Sequence, residues 1–168
     1  MTDNLRTVPI GEIVVSGTLD DVLVAYGVGS CVAICLYDPI VQVGGMLHAL
    51  LPSAPSGDRN GGRPKFVDQG MQLLVKELQT LGAKPRRLIA QYCGGAQVLN
   101  TPGFNGALNI GQRNIVAAQM ALDAAGLRVQ AQETGGRIGR TVRFYIADGR
   151  VTLRSLGRRE RLLGELGE

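Results

Sequence analysis

The stretch from Tyr26 to Pro52, YGVGSCVAICLYDPIVQVGGMLHALLP, carries two apolar runs with a turn between them. Cys31 to Tyr37 is rich in apolar and β-branched residues and predicts a strand, and Val41 to Leu51 predicts a second. Asp38-Pro39 suits the first two positions of a turn, because proline presets φ for the second position. We therefore expect an antiparallel hairpin.

This hairpin brings the only histidine of the chain, His48, close to Cys31. If the turn centres on Pro39 and Ile40, Cys31 lies directly opposite His48, with Cβ atoms about 4.5–5.5 Å apart. A four-residue loop makes the two residues diagonal neighbours instead, and their side chains can still bridge that gap. Either register places a thiol near an imidazole, as nucleophilic cysteine catalysis requires.

The backbone before Cys31 is open to a substrate, because Gly27 and Gly29 carry no Cβ atom. Cys31 also stands where a loop enters a strand, so backbone N–H groups there are available to an oxyanion. We expect the N–H groups of Gly29, Ser30 and Cys31 to have that role. The alternative is that Cys31 is a small apolar core residue, as buried cysteines commonly are.

The composition is typical of a folded protein: 168 residues, 45% hydrophobic and 19% charged. We expect one domain over residues 1–168, in which residues 157–168 form a short charged tail or a frayed helix. No apolar run approaches the roughly 18 residues of a membrane span, and the N-terminus shows no secretory signal. Three cysteines without disulfide spacing indicate a reducing, cytoplasmic setting.

Metal and cofactor sites are not indicated by the remaining motifs. Cys31-x3-Cys35 is not a zinc-knuckle spacing, and a chain with one histidine is a poor metal site. Cys35 shares a strand face with Cys31 and suits the core, and Cys93 has no base near it in sequence, so we expect both to be structural. Gly94-Gly95 matches neither the phosphate loop nor the dinucleotide fingerprint. We expect no metal and no cofactor.

Alternating patterns elsewhere predict an α+β fold with two main helices and several strands. The clearer helix runs from Pro64 to Leu81, where apolar residues recur at spacings of four and three, and the second runs from Asn109 to Ala125. The predicted strands outside the hairpin are 12–15, 22–26, 87–92, 127–132, 141–147 and 151–156. The long loop from Pro52 to Pro64 either covers the site or is a surface excursion.

The C-terminal part of the chain is basic: eight arginines lie between Arg137 and Arg161, in a chain of formal charge +4. The bias indicates either docking onto an acidic partner or a solvated basic face. Because no recognised nucleic-acid motif is present, nucleic acid is the weaker choice of partner.

The chain resembles the CheD family of chemoreceptor glutamine deamidases from about residue 10 to residue 155, and six segments carry the resemblance. They are GVGSCVAICLYDP, GGMLHALLP, KFVDQGMQLLVKELQTLGA, QYCGGAQ, NIGQRN and TGGRIGRTVRF. The resemblance implies Cys31 as nucleophile and His48 as base, acting through a thioester. It also implies mixed sheets packed as a sandwich with helices outside, similar to cytotoxic necrotizing factor-type deamidases.

The resemblance further implies partners: methyl-accepting chemoreceptor helices as substrate, whose glutamines become glutamates, and a CheC-type response-regulator phosphatase. The family often has a threonine where this chain has Ala25, as a third catalytic member. A base needs a group that holds its tautomer. Here that group is a backbone carbonyl, a side chain such as Ser30 or Thr18, or nothing. The alternative function is an adaptor that binds receptors and the phosphatase with little or no catalysis.

Overall fold

The computed structural model describes residues 2–55, 63–97 and 109–164, which form ten strands and two α-helices. The helices are α1 (Val67–Thr80) and α2 (Ile110–Ala124), and Pro85–Arg87 is a short 3-10 helix. The strands are β1 (Asn4–Thr7), β2 (Glu12–Ser16), β3 (Asp21–Val28), β4 (Val32–Asp38), β5 (Val43–Ala49), β6 (Ile89–Gly94), β7 (Arg128–Thr134), β8 (Arg140–Tyr145), β9 (Val151–Ser155) and β10 (Arg161–Leu162).

The strands form two five-stranded sheets of mixed direction. Sheet A has the order β1-β3-β8-β9-β10, and sheet B has the order β2-β5-β4-β6-β7. The pairs β1–β3 and β6–β7 are parallel, and the other neighbours are antiparallel. The N-terminal segment contributes β1 to sheet A and β2 to sheet B, so it crosses between the sheets after β1.

Strand β4 is buried on both faces, which explains its nearly continuous apolar sequence. One face, with Cys35, packs against Phe144 and its neighbours in the core between the two sheets. The other face, with Ile34, packs against Leu74 of α1 and Leu122 of α2. The helices therefore cover the outer face of sheet B, and the sheet centre separates two apolar layers.

The predicted α+β class is confirmed, and the helices lie outside the sheets. The prediction of a frayed helical tail is wrong within the described residues, because Arg161–Leu162 pairs with β9 as β10. Burial of Leu163 and an ion pair between Arg161 and Glu133 hold this segment against the sheets. Strand β1 was not predicted, since its four residues are all exposed and show no alternation.

The register in which Cys31 lies directly opposite His48 is wrong, and the four-residue-loop alternative is confirmed. Ala33 pairs with His48, and residues 39–42 form the loop between β4 and β5. A two-residue hairpin turn of the favoured types needs positive φ at its first central residue, which proline cannot adopt. The loop is instead stabilised by Asp38, whose carboxylate accepts the N–H of Ile40 at 2.9 Å.

Asp38 also fixes the far end of β4. Its buried carboxylate accepts hydrogen bonds from Arg87 Nε at 2.9 Å and from the Lys84 N–H at 2.9 Å. Burial raises the pKa of Asp38, but the bonds from Arg87, Lys84 and Ile40 outweigh it, so the pKa is lowered. The carboxylate is thus ionised at neutral pH and anchors the hairpin loop.

Most of the loop predicted between Pro52 and Pro64 lies outside the described residues, as do residues 98–108 and the last four of the tail. Among the described residues, no helix is long and apolar enough to cross a bilayer.

Candidate active site

Cys31 and His48 lie on the same face of sheet B, the one that packs toward sheet A. Cys31 immediately precedes β4, and alternation puts Cys31, Ala33 and Cys35 on this face. His48 is opposite Ala33 and therefore shares the face. Cys31 and His48 are diagonal neighbours, for which Cα atoms are typically about 7–8 Å apart. Both are nearly inaccessible, with 5% and 1% of their surface exposed.

The orientation of His48 is fixed by the backbone of Val8. Nδ1 of His48 lies 3.0 Å from the Val8 carbonyl oxygen, and both groups are buried. A carbonyl only accepts, so Nδ1 carries the proton and Nε2 carries a free lone pair. Nε2 is buried and has no hydrogen-bond partner in the described part of the chain. The imidazole is thus held as the tautomer that can accept a proton from a thiol.

Val8 reaches His48 because the chain crosses from sheet A to sheet B at this point. The Val8 N–H bonds to the Val24 carbonyl in sheet A at 2.8 Å, and the Gly11 N–H bonds to the His48 carbonyl in sheet B at 2.7 Å. Gly11 has a φ of +83°, a conformation that glycine adopts without strain. We call the segment from Val8 to Gly11 the crossing segment.

The group opposite His48 Nδ1 is therefore a backbone carbonyl, one of the alternatives left open by the sequence. Ala25, where the family often has threonine, is fully buried in the core between the sheets. Thr18 is exposed, and neither it nor Ser30 forms a hydrogen bond with His48 in the described residues. No sequence signal pointed to Val8, because every residue carries a carbonyl and only the fold selects one.

Burial shifts the pKa values of the two side chains in opposite directions. It raises the pKa of the Cys31 thiol, an effect that the residue's own N–H partly offsets. It lowers the pKa of His48, and the bond to the Val8 carbonyl offsets this only in part. Both shifts disfavour charge. They make a neutral thiol and a neutral imidazole the resting forms at neutral pH.

The segment before β4 is held by the loop that follows β6. The N–H of Gly95 donates to the Cys31 carbonyl and the N–H of Ala96 donates to the Gly29 carbonyl, both at 2.8 Å. A Cβ atom at Gly94, where φ is +117°, would lie 2.2 Å from the Cys31 carbonyl oxygen. Glycine is thus required here by close backbone approach, whereas the sequence had excluded only a nucleotide role.

The N–H groups of Gly29, Ser30 and Cys31 donate to no backbone carbonyl within the described ranges. Ser30 and Gly29 are half-buried, while Gly27 is exposed with nothing near its missing Cβ. The structure therefore leaves three successive backbone donors at the entry to β4, and the glycine segment that precedes Cys31 is its more exposed side. Such donors can stabilise an oxyanion.

The other two cysteines are core residues. Cys35 and Cys93 are 2% and 0% exposed, and both belong to the layer between the sheets. Burial raises the pKa of Cys93 to about 12. The register alone does not separate them from Cys31, because Cys35 is also a diagonal neighbour of His48 and Cys93 pairs with Ala33 from the other side. They differ from Cys31 in lying inside β4 and β6, whereas Cys31 lies in the loop that enters β4. In the portion of the chain that the structure describes, no three His, Cys, Asp or Glu side chains form a potential metal cluster.

Residues 50–155 match the family model described as CheD chemotactic sensory transduction. Several curated proteins named "Probable chemoreceptor glutamine deamidase CheD" are similar over most of the chain. The protein from Symbiobacterium thermophilum is 42% identical, covering 93% of this chain and 95% of its own. The one from Pyrococcus abyssi is 44% identical, covering 93% and 94%.

Among solved structures, the hypothetical protein YfiH of Bacillus licheniformis aligns with a TM-score of 0.46 and 12% identity. The alignment covers 81% of this chain and 61% of that protein. The expected similarity to cytotoxic necrotizing factor-type deamidases is not confirmed.

Proposed function

The chain belongs to the CheD family, and we propose that it deamidates glutamine side chains of methyl-accepting chemoreceptors, with Cys31 as nucleophile and His48 as base. The observation that carries this proposal is the unpaired Nε2 of His48, on the same sheet face as the Cys31 thiol. A buried polar atom without a partner is costly, so its presence on the sheet face that carries the Cys31 thiol indicates a functional use.

The first half-reaction forms a thioester. Cys31 Sγ attacks the side-chain carbon of glutamine while its proton passes to His48 Nε2, and the carbonyl oxygen becomes an oxyanion. The N–H groups of Gly29, Ser30 and Cys31 stabilise this charge. His48 then gives the proton to the leaving nitrogen, the C–N bond breaks and ammonia departs.

The second half-reaction releases the product. His48 Nε2 takes a proton from water, whose oxygen attacks the thioester carbon, and a second oxyanion forms at the same donors. The C–S bond then breaks, and the proton returns from His48 to the Cys31 sulfur. Glutamate is left on the substrate. These steps use only groups of the chain and water, so the proposal calls on no metal or cofactor.

The timing of proton transfer follows from the two pKa shifts. Burial raises the pKa of Cys31 and lowers that of His48, and both shifts disfavour a thiolate–imidazolium pair at rest. We therefore propose that the thiol loses its proton as it attacks, rather than beforehand. The imidazolium then exists only beside the oxyanion, whose charge stabilises it.

The proposed substrates are receptor helices in the cytoplasm, and the proposal places the chain there too. The experiment incubates a receptor cytoplasmic fragment with the protein and follows peptide mass. Each deamidated glutamine gains about one dalton, because an amide nitrogen is exchanged for an acid oxygen. Cys31→Ala and His48→Ala should each abolish the gain. The matched controls Cys35→Ala and Cys93→Ala should retain the mass gain, although the cavity left by each substitution should lower the stability of the protein.

The adaptor function is the other outcome of the same experiment. It is supported if the folded wild-type protein binds the receptor fragment and a CheC-type phosphatase without any mass gain. Deamidation by Cys31→Ala, or labelling of Cys93 by an electrophilic glutamine analogue, would contradict our assignment of the nucleophile. The observation that favours catalysis over the adaptor is the Val8 carbonyl, which supplies His48 with the orientation that Ala25 cannot.

A further inference from the structure

Asn114, in the second turn of α2, joins the two halves of the proposed site. Its side chain is fully buried, and its Nδ2 donates to the Ser30 carbonyl at 2.8 Å and to the Leu50 carbonyl at 3.0 Å. Ser30 directly precedes Cys31, and Leu50 follows His48 by two residues. We infer that Asn114 is a positioning residue that aims the Cys31 N–H at the oxyanion of the reaction.

The chemistry of the contacts fixes the orientation of this amide. Carbonyl oxygens only accept, so the NH2 group of Asn114, with its two donors, must face both of them. Oδ1 of Asn114 is buried and has no partner among the described residues. An apolar or acidic residue at this position would leave two carbonyls without a donor, and aspartate would set an oxygen against them. The site therefore needs an amide.

Peptide geometry connects Asn114 to the oxyanion. In a trans peptide the C=O and the next N–H lie in one plane and point in opposite directions. The Ser30 carbonyl belongs to the same peptide unit as the Cys31 N–H, so a bond that holds this carbonyl also aims the N–H. The N–H is left without a backbone acceptor within the described ranges. Polarisation of the carbonyl by Nδ2 further strengthens the N–H as a donor.

The neighbouring peptide units are held in the same way, and α2 lies behind them. Gly29 and Cys31 carbonyls accept from Ala96 and Gly95 N–H groups. The start of α2 packs on that loop so closely that a Cβ at Gly111 would lie 2.5 Å from the Gly95 carbonyl oxygen. Three successive carbonyls are therefore fixed, two by backbone donors and the third by Asn114 alone. A preorganised donor of this kind acts without reorganisation in the transition state.

This inference rests on the proposed deamidase function, and its test uses the full-length chain. Asn114→Asp keeps the shape of the side chain and removes its two N–H donors. Asn114→Leu also removes the donors at a similar size, and it introduces no charge. Each variant is assayed for deamidation and for alkylation of Cys31 by iodoacetamide across pH. Alkylation passes through no oxyanion, so it depends on these donors only through the bond between the Cys31 N–H and its own sulfur. Asn109→Ala is the control, because Asn109 caps the same helix by accepting from Gln112 N–H.

We expect the Asn114 variants to lose about 10- to 100-fold in kcat with little change in KM, which is less than removal of a whole oxyanion donor. The rate of Cys31 alkylation and its pH profile should stay within about twofold of wild type. Asn109→Ala should lower the melting temperature and leave kcat unchanged. If the aspartate variant does not fold, the leucine variant or Asn114→Ala carries the test.

Two results would overturn the inference: a folded Asn114 variant with wild-type kcat, or a parallel loss of kcat and of alkylation. The second is what a merely structural role produces. A wild-type protein without deamidase activity would instead contradict the proposed function. An active wild type with fully active Asn114 variants contradicts only the role of Asn114.

Discussion

The backbone carbonyl of Val8 lies 3.0 Å from Nδ1 of His48, and this contact sets the tautomer of the only histidine in the chain. Because Val8 lies in the crossing segment, between strands of different sheets, the relative position of the two sheets determines the state of the proposed base. The N-terminal segment is therefore part of the proposed catalytic apparatus, although its first strand is short and exposed.

A chain that begins at Pro9 should lose about 100-fold or more in kcat, while a chain that begins at Asn4 should keep its activity. Without the Val8 carbonyl, His48 is free to adopt the other tautomer, and a wrong tautomer costs about 10⁴-fold in a serine protease triad. The measurement is deamidation of a receptor fragment, with thermal melting as a test of folding.

The shorter chain also loses contacts of β1 with Asp21, so a control is needed. Asn4 and Arg6 both bond to the Asp21 carboxylate. The double variant Asn4→Ala, Arg6→Ala removes these bonds and retains Val8. It should lower stability and leave kcat unchanged. If it reduces kcat as much as the truncation does, the effect comes from β1 packing and not from the carbonyl.

The pH dependence of kcat/KM should be that of a neutral Cys31 thiol and a neutral His48 imidazole in the resting protein. Protonation of His48 removes the base, and its pKa is lowered, so kcat/KM should fall on acidification only below about pH 6.5. The raised pKa of Cys31 keeps its thiol protonated, so kcat/KM should not change as the pH rises from neutral to beyond about pH 8.5.

Iodoacetamide labelling of Cys31 tests the same point without a substrate. Labelling requires the thiolate, so its rate should rise only in the alkaline range. Peptide mapping separates Cys31 from the buried Cys35 and Cys93. Rapid labelling of Cys31 at pH 5–6 would mean that a thiolate–imidazolium pair is present at rest, which contradicts the neutral pair.

Gly94→Ala should damage both stability and catalysis. The new Cβ would meet the Cys31 carbonyl oxygen at 2.2 Å and occupy a backbone with φ of +117°. We expect a loss of at least about 2–4 kcal/mol in the free energy of unfolding. We also expect kcat to fall by more than about tenfold in the protein that remains folded, because the peptide units around Cys31 must shift.

Gly82→Ala is the matched control for Gly94. Gly82 follows α1 with φ of +97°, and nothing lies within 4 Å of its missing Cβ. The substitution should cost about 1–2 kcal/mol from backbone strain alone and leave kcat unchanged. Equal melting temperatures and equal activities for the two variants would show that the contact with Cys31 is not limiting.

Arg137→Glu should weaken substrate binding, because Arg137 is exposed near the proposed site. Other arginines of the basic C-terminal part contribute less net charge, since at least half of the eight pair with carboxylates of the chain. Four of the eight arginines pair with carboxylates: Arg140 and Arg161 with Glu133, Arg143 with Glu160, and Arg150 with Asp148. Arg137 is exposed in the turn whose Gly136 carbonyl accepts the Gln97 N–H, beside the loop that holds Cys31. Its charge is thus well placed to attract an acidic receptor surface.

We expect KM for the receptor fragment to rise several-fold, with a flatter salt dependence and an unchanged kcat. Arg150→Glu is the control. Arg150 lies beside Gly149, which contacts Tyr37 at the other end of β4, about 20 Å along the strand from Cys31. Equal effects of the two substitutions would indicate general charge attraction, and no effect of either would contradict a docking role for these arginines.

Local patterns in the sequence were sufficient to identify the α+β class, both helices and the hairpin that carries Cys31 and His48. Alternation is a property of neighbouring residues, so it also placed Cys31 and Cys35 on one face of their strand. The hairpin register was open, since it depends on the loop, and Asp38 with its Arg87 and Lys84 contacts selected the four-residue loop. A local pattern cannot reveal such contacts with residues more than forty positions away.

Three features of the site follow from the tertiary structure alone. They are the hydrogen bond between the Val8 carbonyl and His48, the close approach of Gly94 to Cys31, and the hydrogen bonds of Asn114 to the Ser30 and Leu50 carbonyls. Each joins a backbone carbonyl to a group distant in sequence. Because every residue has a carbonyl, composition and spacing cannot indicate which one is used. The sequence determined which side chains could perform the chemistry. The packing of two sheets and one helix decided which backbone groups orient them, because only packing brings distant peptide units within hydrogen-bonding distance.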